Sequence, residues 1–138
     1  MQNNLSQEAQ KNINTWLTEP RYAEYKPELE ALLAKQAWKT LEDSFYTIIP
    51  FGTGGRRGTV GIGSNRINKV TIGESAQGFS DYLVSQLGGD AKKQGIVIAH
   101  DTRTTSREFA EYVAKIFASN GFRTYLFDSF RATPELSF

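Results

Sequence analysis

The stretch GIVIAHDTRTTSREFA, Gly95 to Ala110, contains the pattern that sets the fold class of this chain. Its first part is a short apolar run bounded by a glycine and polar residues, which is typical of a strand buried inside a sheet. The polar segment DTRTTS then predicts a loop, and Ser106 is suited to cap the helix that follows. The inner stripe of that helix consists of Phe109, Val113, Ile116 and Phe117. Strand, loop and helix in this order indicate an α/β fold.

The alternation continues on both sides of this stretch. Upstream, SFYTIIPF (44–51) is rich in β-branched and aromatic residues and predicts a strand, and a helical period begins near Asn68 and ends at Gly88. Downstream, FRTYLFD (122–128) predicts a third strand, and Pro134 opens a further helix. This order predicts an α/β layered domain with mainly parallel strands.

The residues before this body predict an N-terminal helical arm. Ser6 can cap a first helix, and Pro27 suits the first turn of a second helix that we expect to continue to near Leu41. The apolar face of the first helix consists of Ala9, Ile13, Trp16 and Leu17. We therefore divide the chain into an arm at residues 1–42 and a body at residues 43–138.

Composition excludes several classes of protein. The 138 residues are 39% hydrophobic and 22% charged, as in a soluble globular domain, and the net charge of +1 gives no basis for binding nucleic acid or a membrane. There is no cysteine, which excludes disulfides and Cys-ligated metals and fits a reducing compartment. The start is polar and no run reaches transmembrane length, so we expect a cytoplasmic protein.

The segment FGTGGRRGTVGIG, Phe51 to Gly63, combines six glycines with two adjacent arginines. It does not match a dinucleotide loop, because Arg57 and Arg66 stand where the third glycine would be, nor a P-loop, because Ser64 replaces the lysine. Two interpretations remain open at this point. The arginines could bind an anion at the carboxyl edge of the sheet, or the segment could be an ordinary glycine-rich turn with solvated arginines.

A second candidate follows the strand of the opening stretch. Asp101 and Arg103 are two residues apart and could pair with each other or face a site at the sheet edge, and loop solvation with helix capping is the competing interpretation. His100 is the only histidine, and without cysteine or a second histidine nearby we expect no metal role for it.

The succession FGTGGRRG, NRIN, AHDTR, SREFA and TPELSF resembles the first domain of the α-D-phosphohexomutases, the superfamily of phosphoglucomutases and phosphomannomutases. The arm, INTWLTEPRYAEYKPELEALL, is most similar to the phosphoglucomutase branch. The chain departs from the family pattern at Arg56, where relatives often carry an apolar residue, and at Pro50, where an acidic residue is common.

The resemblance implies an enzyme that moves a phosphoryl group between the 1- and 6-oxygens of a hexose through a phosphoserine, using Mg²⁺ and a hexose 1,6-bisphosphate intermediate. It implies that Arg57 supports the phosphoserine site. The matching substrate-site positions are Gly54, Gly55, Arg66, Asp101 and Arg103. We expect supporting or positioning roles for Asp101 and Arg103 rather than direct chemistry, and no metal ligand in this chain.

The resemblance also implies a three-layer α/β/α domain with a mainly parallel mixed sheet that is incomplete here. It implies further that the phosphoserine loop follows the helix opened by TPELSF. The serines Ser106, Ser119, Ser129 and Ser137 do not lie in a matching context. We therefore expect an inactive N-terminal fragment that binds no cofactor by itself and self-associates through an uncovered sheet edge. Two alternatives stay open: a free-standing anion-binding module that uses Arg56, Arg57 and Arg103, and an interaction domain whose contact surface contains Trp16 and Trp38.

Overall fold

The computed structural model of the chain describes residues 5–138. It divides into two compact units, of which the first ends at Thr71 and the second runs from Ile72 to Phe138. The elements in chain order are α1 (Gln7–Thr18), a 3₁₀ turn (Pro20–Tyr22), α2 (Lys26–Ala34), α3 (Trp38–Phe45), α4 (Lys69–Leu87), α5 (Asp90–Gln94), β1 (Ile96–Ile98), α6 (Ser106–Ser119), β2 (Thr124–Leu126) and α7 (Thr133–Ser137).

The first unit packs its helices around a buried aromatic centre. The hydroxyl of Ser6 accepts a hydrogen bond from the Ala9 N–H at 3.2 Å, which confirms the predicted cap of α1. Trp16 is only 2% exposed and stacks on Tyr22 with 4.4 Å between ring centroids. The interaction-domain alternative is therefore wrong in including Trp16 in the contact surface, because its ring is enclosed by the core of the unit.

Two predictions about the segment between α2 and the glycines are wrong. The second helix does not reach Leu41 unbroken, because Gln36 adopts a positive φ of 54° and turns the chain between α2 and α3. The segment 44–51 is not a strand. Its first residues form the last turn of α3, where Phe45 is fully buried, so packing of the helix overrides the β propensity of the sequence.

The second unit contains the α/β element pairs. Strands β1 and β2 are parallel, with Val97 opposite Tyr125, and helix α6 connects them. The core beside the sheet is centred on Phe117 and Phe122, whose rings meet edge to face at 5.4 Å. The predicted positions of β1, α6, β2 and α7 are confirmed, and so is the α/β fold class.

The sheet is smaller and more open than predicted. In residues 5–138 it has two strands. Strand β1 is not buried on both faces, because Val97 and its cross-strand neighbour Tyr125 are about half exposed, at 51% and 50%. The sequence also gave no sign of the short helix α5, which follows the predicted stop of α4 at Gly88.

Candidate functional site

The glycine-rich loop of the first unit folds back on itself. The N–H of Gly52 donates to the Gly55 carbonyl at 3.0 Å, and the Gly55 N–H returns a bond to the Gly52 carbonyl at 3.2 Å. Gly54 and Gly55 have φ values of +80° and +127°, which side chains disfavour, and a Cβ at either would meet no atom within 4 Å. The loop therefore exposes bare backbone with open space around it.

The two adjacent arginines of the loop have different surroundings. Arg56 is partly buried, and its Nη1 donates a hydrogen bond of 2.5 Å to the carbonyl of Thr71. Arg57 is exposed and makes no hydrogen bond or ion pair with residues 5–138. One guanidinium thus holds the fold of the first unit, while the next one along the chain is available for an external anion.

Arg66 lies in the same unit but is committed to internal partners. Its side chain is only 14% exposed and forms an ion pair with the carboxylate of Asp43. It also donates to the Asp43 carbonyl at 3.1 Å and to the Asn65 carbonyl at 3.2 Å. Direct binding of substrate by Arg66 stays a prediction, and it would require these bonds to be exchanged for new ones.

Asn68 supports the loop in a way that sequence reasoning missed. Its side-chain amide donates to the carbonyls of Gly61 and Gly63, at 3.0 and 2.9 Å, and its Oδ1 accepts from the Thr71 N–H at 3.1 Å. The Thr71 hydroxyl accepts in return from the Asn68 N–H at 3.1 Å. This reciprocal pair caps the start of α4. An asparagine three residues before a threonine, at the beginning of a helical pattern, is the sequence signal that could have predicted it.

Close packing of backbone fixes the far end of the loop. Gly63 has a φ of +126°, and a Cβ there would lie 2.3 Å from the Ser44 carbonyl oxygen. No rotation of a side chain could relieve that overlap, since the clashing atom belongs to the main chain. The glycine at this position is therefore required for the loop to lie against α3.

The second motif forms a tight turn after β1 in the second unit. The carboxylate of Asp101 accepts from the Arg103 N–H at 3.1 Å and from Arg103 Nε at 2.8 Å. Hydrogen bonds from Ser106 and from the Arg103 N–H, with the charge of Arg103, lower the pKa of Asp101 below 3.8. Arg103 is 83% exposed in its side chain. Asp101 and Arg103 therefore pair, which is one of the possibilities that the sequence left open, and their role at a binding site stays a prediction.

Ser106 differs from its predicted role. It is the first residue of α6 rather than its cap, and Thr105 occupies the cap position without a side-chain bond. The Ser106 hydroxyl instead accepts from the Asp101 N–H at 3.1 Å. It thus closes the turn onto the start of the helix.

The predicted site residues fall into two groups. Arg57 shares its loop with Gly54 and Gly55 in the first unit, and Asp101 pairs with Arg103 in the second. Within residues 5–138 no three His, Cys, Asp or Glu side chains come together as a metal site. The same part of the chain has no helix with the length and apolar composition needed to cross a bilayer.

Trp38 is placed differently from Trp16. It packs partly on the core of the first unit and, with Tyr46, lines a surface groove of about 590 Å³ along α3. The polar walls of that groove include Glu42 and Asp43. Of the two tryptophans proposed as a contact surface, Trp38 alone is accessible.

Comparison with known proteins matches residues 49–138 to the family model described as phosphoglucomutase/phosphomannomutase, alpha/beta/alpha domain I. A phosphoglucomutase of Staphylococcus epidermidis is 42% identical over 97 residues, which cover 70% of this chain and 17% of that protein. A probable phosphoribomutase of Schizosaccharomyces pombe is 35% identical over 129 residues, 94% of this chain and 22% of that protein. The chain thus spans about a fifth of the length of these relatives. No solved structure matches it significantly.

The family match and the division into compact units do not fall at the same residue. The match begins at residue 49, and the first unit extends to Thr71. The boundary between residues 42 and 43 that the sequence suggested stays a prediction. The binding roles of the site residues also stay predictions, and the geometry above supplies the basis for a proposal about them.

Proposed function

The chain belongs to the phosphoglucomutase/phosphomannomutase family through its α/β/α domain I, and we propose that it contributes this domain to a cytoplasmic enzyme that moves a phosphoryl group between the 1- and 6-oxygens of a hexose. Relatives named as phosphoglucomutases support a hexose phosphate. The similarity to a probable phosphoribomutase makes a pentose phosphate the alternative substrate.

The observation that carries the proposal is the unengaged guanidinium of Arg57. Its planar fork of N–H donors matches the oxygens of a phosphate, which a lysine would meet only as a point charge. Gly54 and Gly55 leave the backbone beside it bare, so a phosphate could approach closely. We propose that Arg57 stabilises the charge on the phosphoryl group as it transfers between the enzyme's phosphoserine and the sugar.

The other predicted residues receive supporting roles. Arg103 is held by Asp101 in a defined orientation, which suits positioning of an anion rather than bond making or breaking. Arg66 acts through its ion pair with Asp43, which ties the end of the loop to α3. We propose that the 138-residue chain is inactive alone, because none of its serines lies in a context that matches the family's phosphoserine loop.

Mg²⁺ and a hexose 1,6-bisphosphate belong to the proposal for the whole enzyme only. Within residues 5–138 no three His, Cys, Asp or Glu side chains come together, and we propose that the ligands of Mg²⁺ lie in other parts of the enzyme, as the family resemblance implies. We propose that this chain contributes the binding and orientation of phosphate, through Arg57 and the glycine backbone beside it.

Kinetics of a full-length protein that contains this chain test the proposal. Arg57→Ala is expected to lower kcat by about 10²-fold with a smaller rise in KM, because the lost contact strengthens in the transition state. Arg57→Lys should recover only part of kcat, since it restores charge without the fork. Arg123→Ala is the matched control, because it removes an exposed arginine outside the loop. An unchanged kcat in Arg57→Ala would refute the role of Arg57.

We also propose that the isolated chain self-associates through the open face of its sheet. Val97 and Tyr125 are half exposed there, and neither edge of the two-stranded sheet is paired within residues 5–138. An apolar cavity of about 340 Å³ lies beside β1, and its walls include Phe79, Leu87 and Leu136. A second copy could cover this surface and pair with the free edge.

A further inference from the structure

His100, the only histidine, is a buried polar residue for which the proposed function has no use. It follows β1 at the carboxyl end of the strand and is only 8% exposed. Its ring Nδ1 lies 3.3 Å from the carbonyl oxygen of Asp101, and its Nε2 is buried without a hydrogen-bond partner in residues 5–138. A buried ring with one engaged and one unengaged nitrogen calls for a physical account, because unsatisfied buried polar atoms are rare.

We infer that His100 is a positioning residue. Its ring carries a proton on Nδ1 and donates a hydrogen bond from Nδ1 to the Asp101 carbonyl, which fixes the turn that presents Arg103. A carbonyl oxygen can only accept, so Nδ1 must be the donor in this contact. Nε2 is buried and has no hydrogen-bond partner within residues 5–138, so a donor placed there would be unsatisfied. The tautomer with its proton on Nδ1 satisfies the contact with the Asp101 carbonyl and leaves no donor unsatisfied at Nε2.

The bond reaches the turn through the main chain. Fixing the Asp101 carbonyl fixes the peptide that joins Asp101 to Thr102, and the Asp101 carboxylate then accepts the N–H and Nε of Arg103. On the other side, the carbonyl of His100 itself accepts from the Arg131 N–H at 2.9 Å. His100 is therefore held from the segment after β2 and in turn holds the segment after β1.

This inference rests on the proposed function in one respect only, namely that the turn carrying Arg103 binds a phosphate. The hydrogen bond and its effect on the turn can be measured in the 138-residue chain without substrate. A failure of the Arg57 kinetics would leave those measurements unaffected, and a failure here would leave the role of Arg57 standing. The two ideas can therefore be refuted separately.

The first measurement is the ¹⁵N spectrum of the histidine ring in the wild-type chain at neutral pH. We expect Nδ1 to resonate as a protonated ring nitrogen and Nε2 as an unprotonated one. The ring signals need no assignment between residues, since the chain has a single histidine. A ring protonated on Nε2 alone, or one that exchanges between tautomers, would overturn the inference, because neither gives a permanent donor to Asp101.

The second measurement compares His100→Asn with His100→Gln by amide hydrogen exchange. The side-chain nitrogen of asparagine is as many bonds from the backbone as Nδ1, while that of glutamine corresponds to Nε2. Both variants lose the ring, so they differ in where the donor lies. We expect the Arg103 amide to exchange about tenfold faster in His100→Gln than in His100→Asn, a factor that corresponds to about 1.4 kcal/mol.

The Ile96 amide is the internal reference, because it bonds to the Arg123 carbonyl and reports on the sheet itself. Equal exchange of Arg103 in the two variants, with the reference unchanged, would show that the position of the donor does not matter and would refute the role. If both variants unfold, the ring spectrum of the wild type still decides between the tautomers.

Discussion

The neighbouring arginines of the glycine-rich loop should respond in opposite ways when each is truncated. Arg56→Ala removes the donor that reaches the Thr71 carbonyl at 2.5 Å, whereas Arg57→Ala removes a side chain without internal partners in the described structure. Hydrogen bonds from charged donors contribute about 1.5–3 kcal/mol to stability. We therefore expect Arg56→Ala to lower the free energy of unfolding by about 2 kcal/mol and Arg57→Ala by less than about 0.5 kcal/mol.

The loss of stability in Arg56→Ala can be measured as a shift of the thermal unfolding midpoint, Tm. With about 2.1 cal/mol/K of unfolding entropy per residue, a loss of about 2 kcal/mol lowers Tm by about 5–10 °C for a chain of this size. Circular dichroism during heating measures this shift, and urea unfolding measures the free energy directly. Arg56→Lys should be intermediate, because one ammonium donor can replace one of the guanidinium donors.

Two results would refute this reasoning. If both alanine variants lose the same stability, Arg57 has internal partners and is not available for a phosphate. If neither loses any, the Arg56 contact contributes nothing to the fold. The Arg57 variant must also remain folded for its kinetics in a full-length protein to report on phosphoryl transfer.

Four further outcomes are expected. The 138-residue chain should show no mutase turnover with Mg²⁺ and hexose bisphosphate; a rate above that of a mock-purified sample would contradict this. Gly63→Ala should destabilise the chain by at least about 3 kcal/mol, while Gly54→Ala, with open space, should cost only about 1–2 kcal/mol; equal losses in chemical unfolding would exclude the backbone clash. Light scattering should show association that rises with concentration and is weakened in Tyr125→Lys; a monodisperse monomer at high concentration would exclude it. The pKa of Asp101 is lowered in the folded chain, so the stabilisation that its ionised carboxylate gives the turn is fully present above pH 3.8 and is lost as the pH falls through the folded pKa. An NMR titration midpoint of Asp101 at or above pH 3.8 would contradict this.

The sequence predicted the second unit better than the first. The apolar run at β1, the stripe of α6 and the proline that opens α7 are local signals, and the structure confirms each element. The segment 44–51 failed, because its β-branched and aromatic residues satisfied a strand pattern while Phe45 was needed in the helical core. Short apolar runs fit both the helical and the strand periodicity, and only the residues that they pack against decide between helix and strand.

The site followed the same division. The sequence located both motifs and assigned the family, because glycines, arginines and the Asp-x-Arg spacing are properties of the chain itself. It did not separate Arg56 from Arg57 by their partners, since two adjacent arginines look alike until a carbonyl such as that of Thr71 lies within reach of one of them. Nor did it predict that the Asn68 side chain supports the loop, because the hydrogen bonds of Asn68 to the carbonyls of Gly61 and Gly63 depend on how the loop folds.

The sequence by itself determined the α/β class, the family and the positions of the glycine-rich motif and the Asp-x-Arg motif, because these depend on the order and spacing of residue types. The tertiary structure decided which charged groups are engaged and which are available. Arg66 reaches Asp43 across 23 positions of sequence, and Arg56 reaches the Thr71 carbonyl across 15. Partners so far apart along the chain meet only when the backbone has folded, so no local pattern could show that Arg57 is exposed and makes no hydrogen bond or ion pair within residues 5–138.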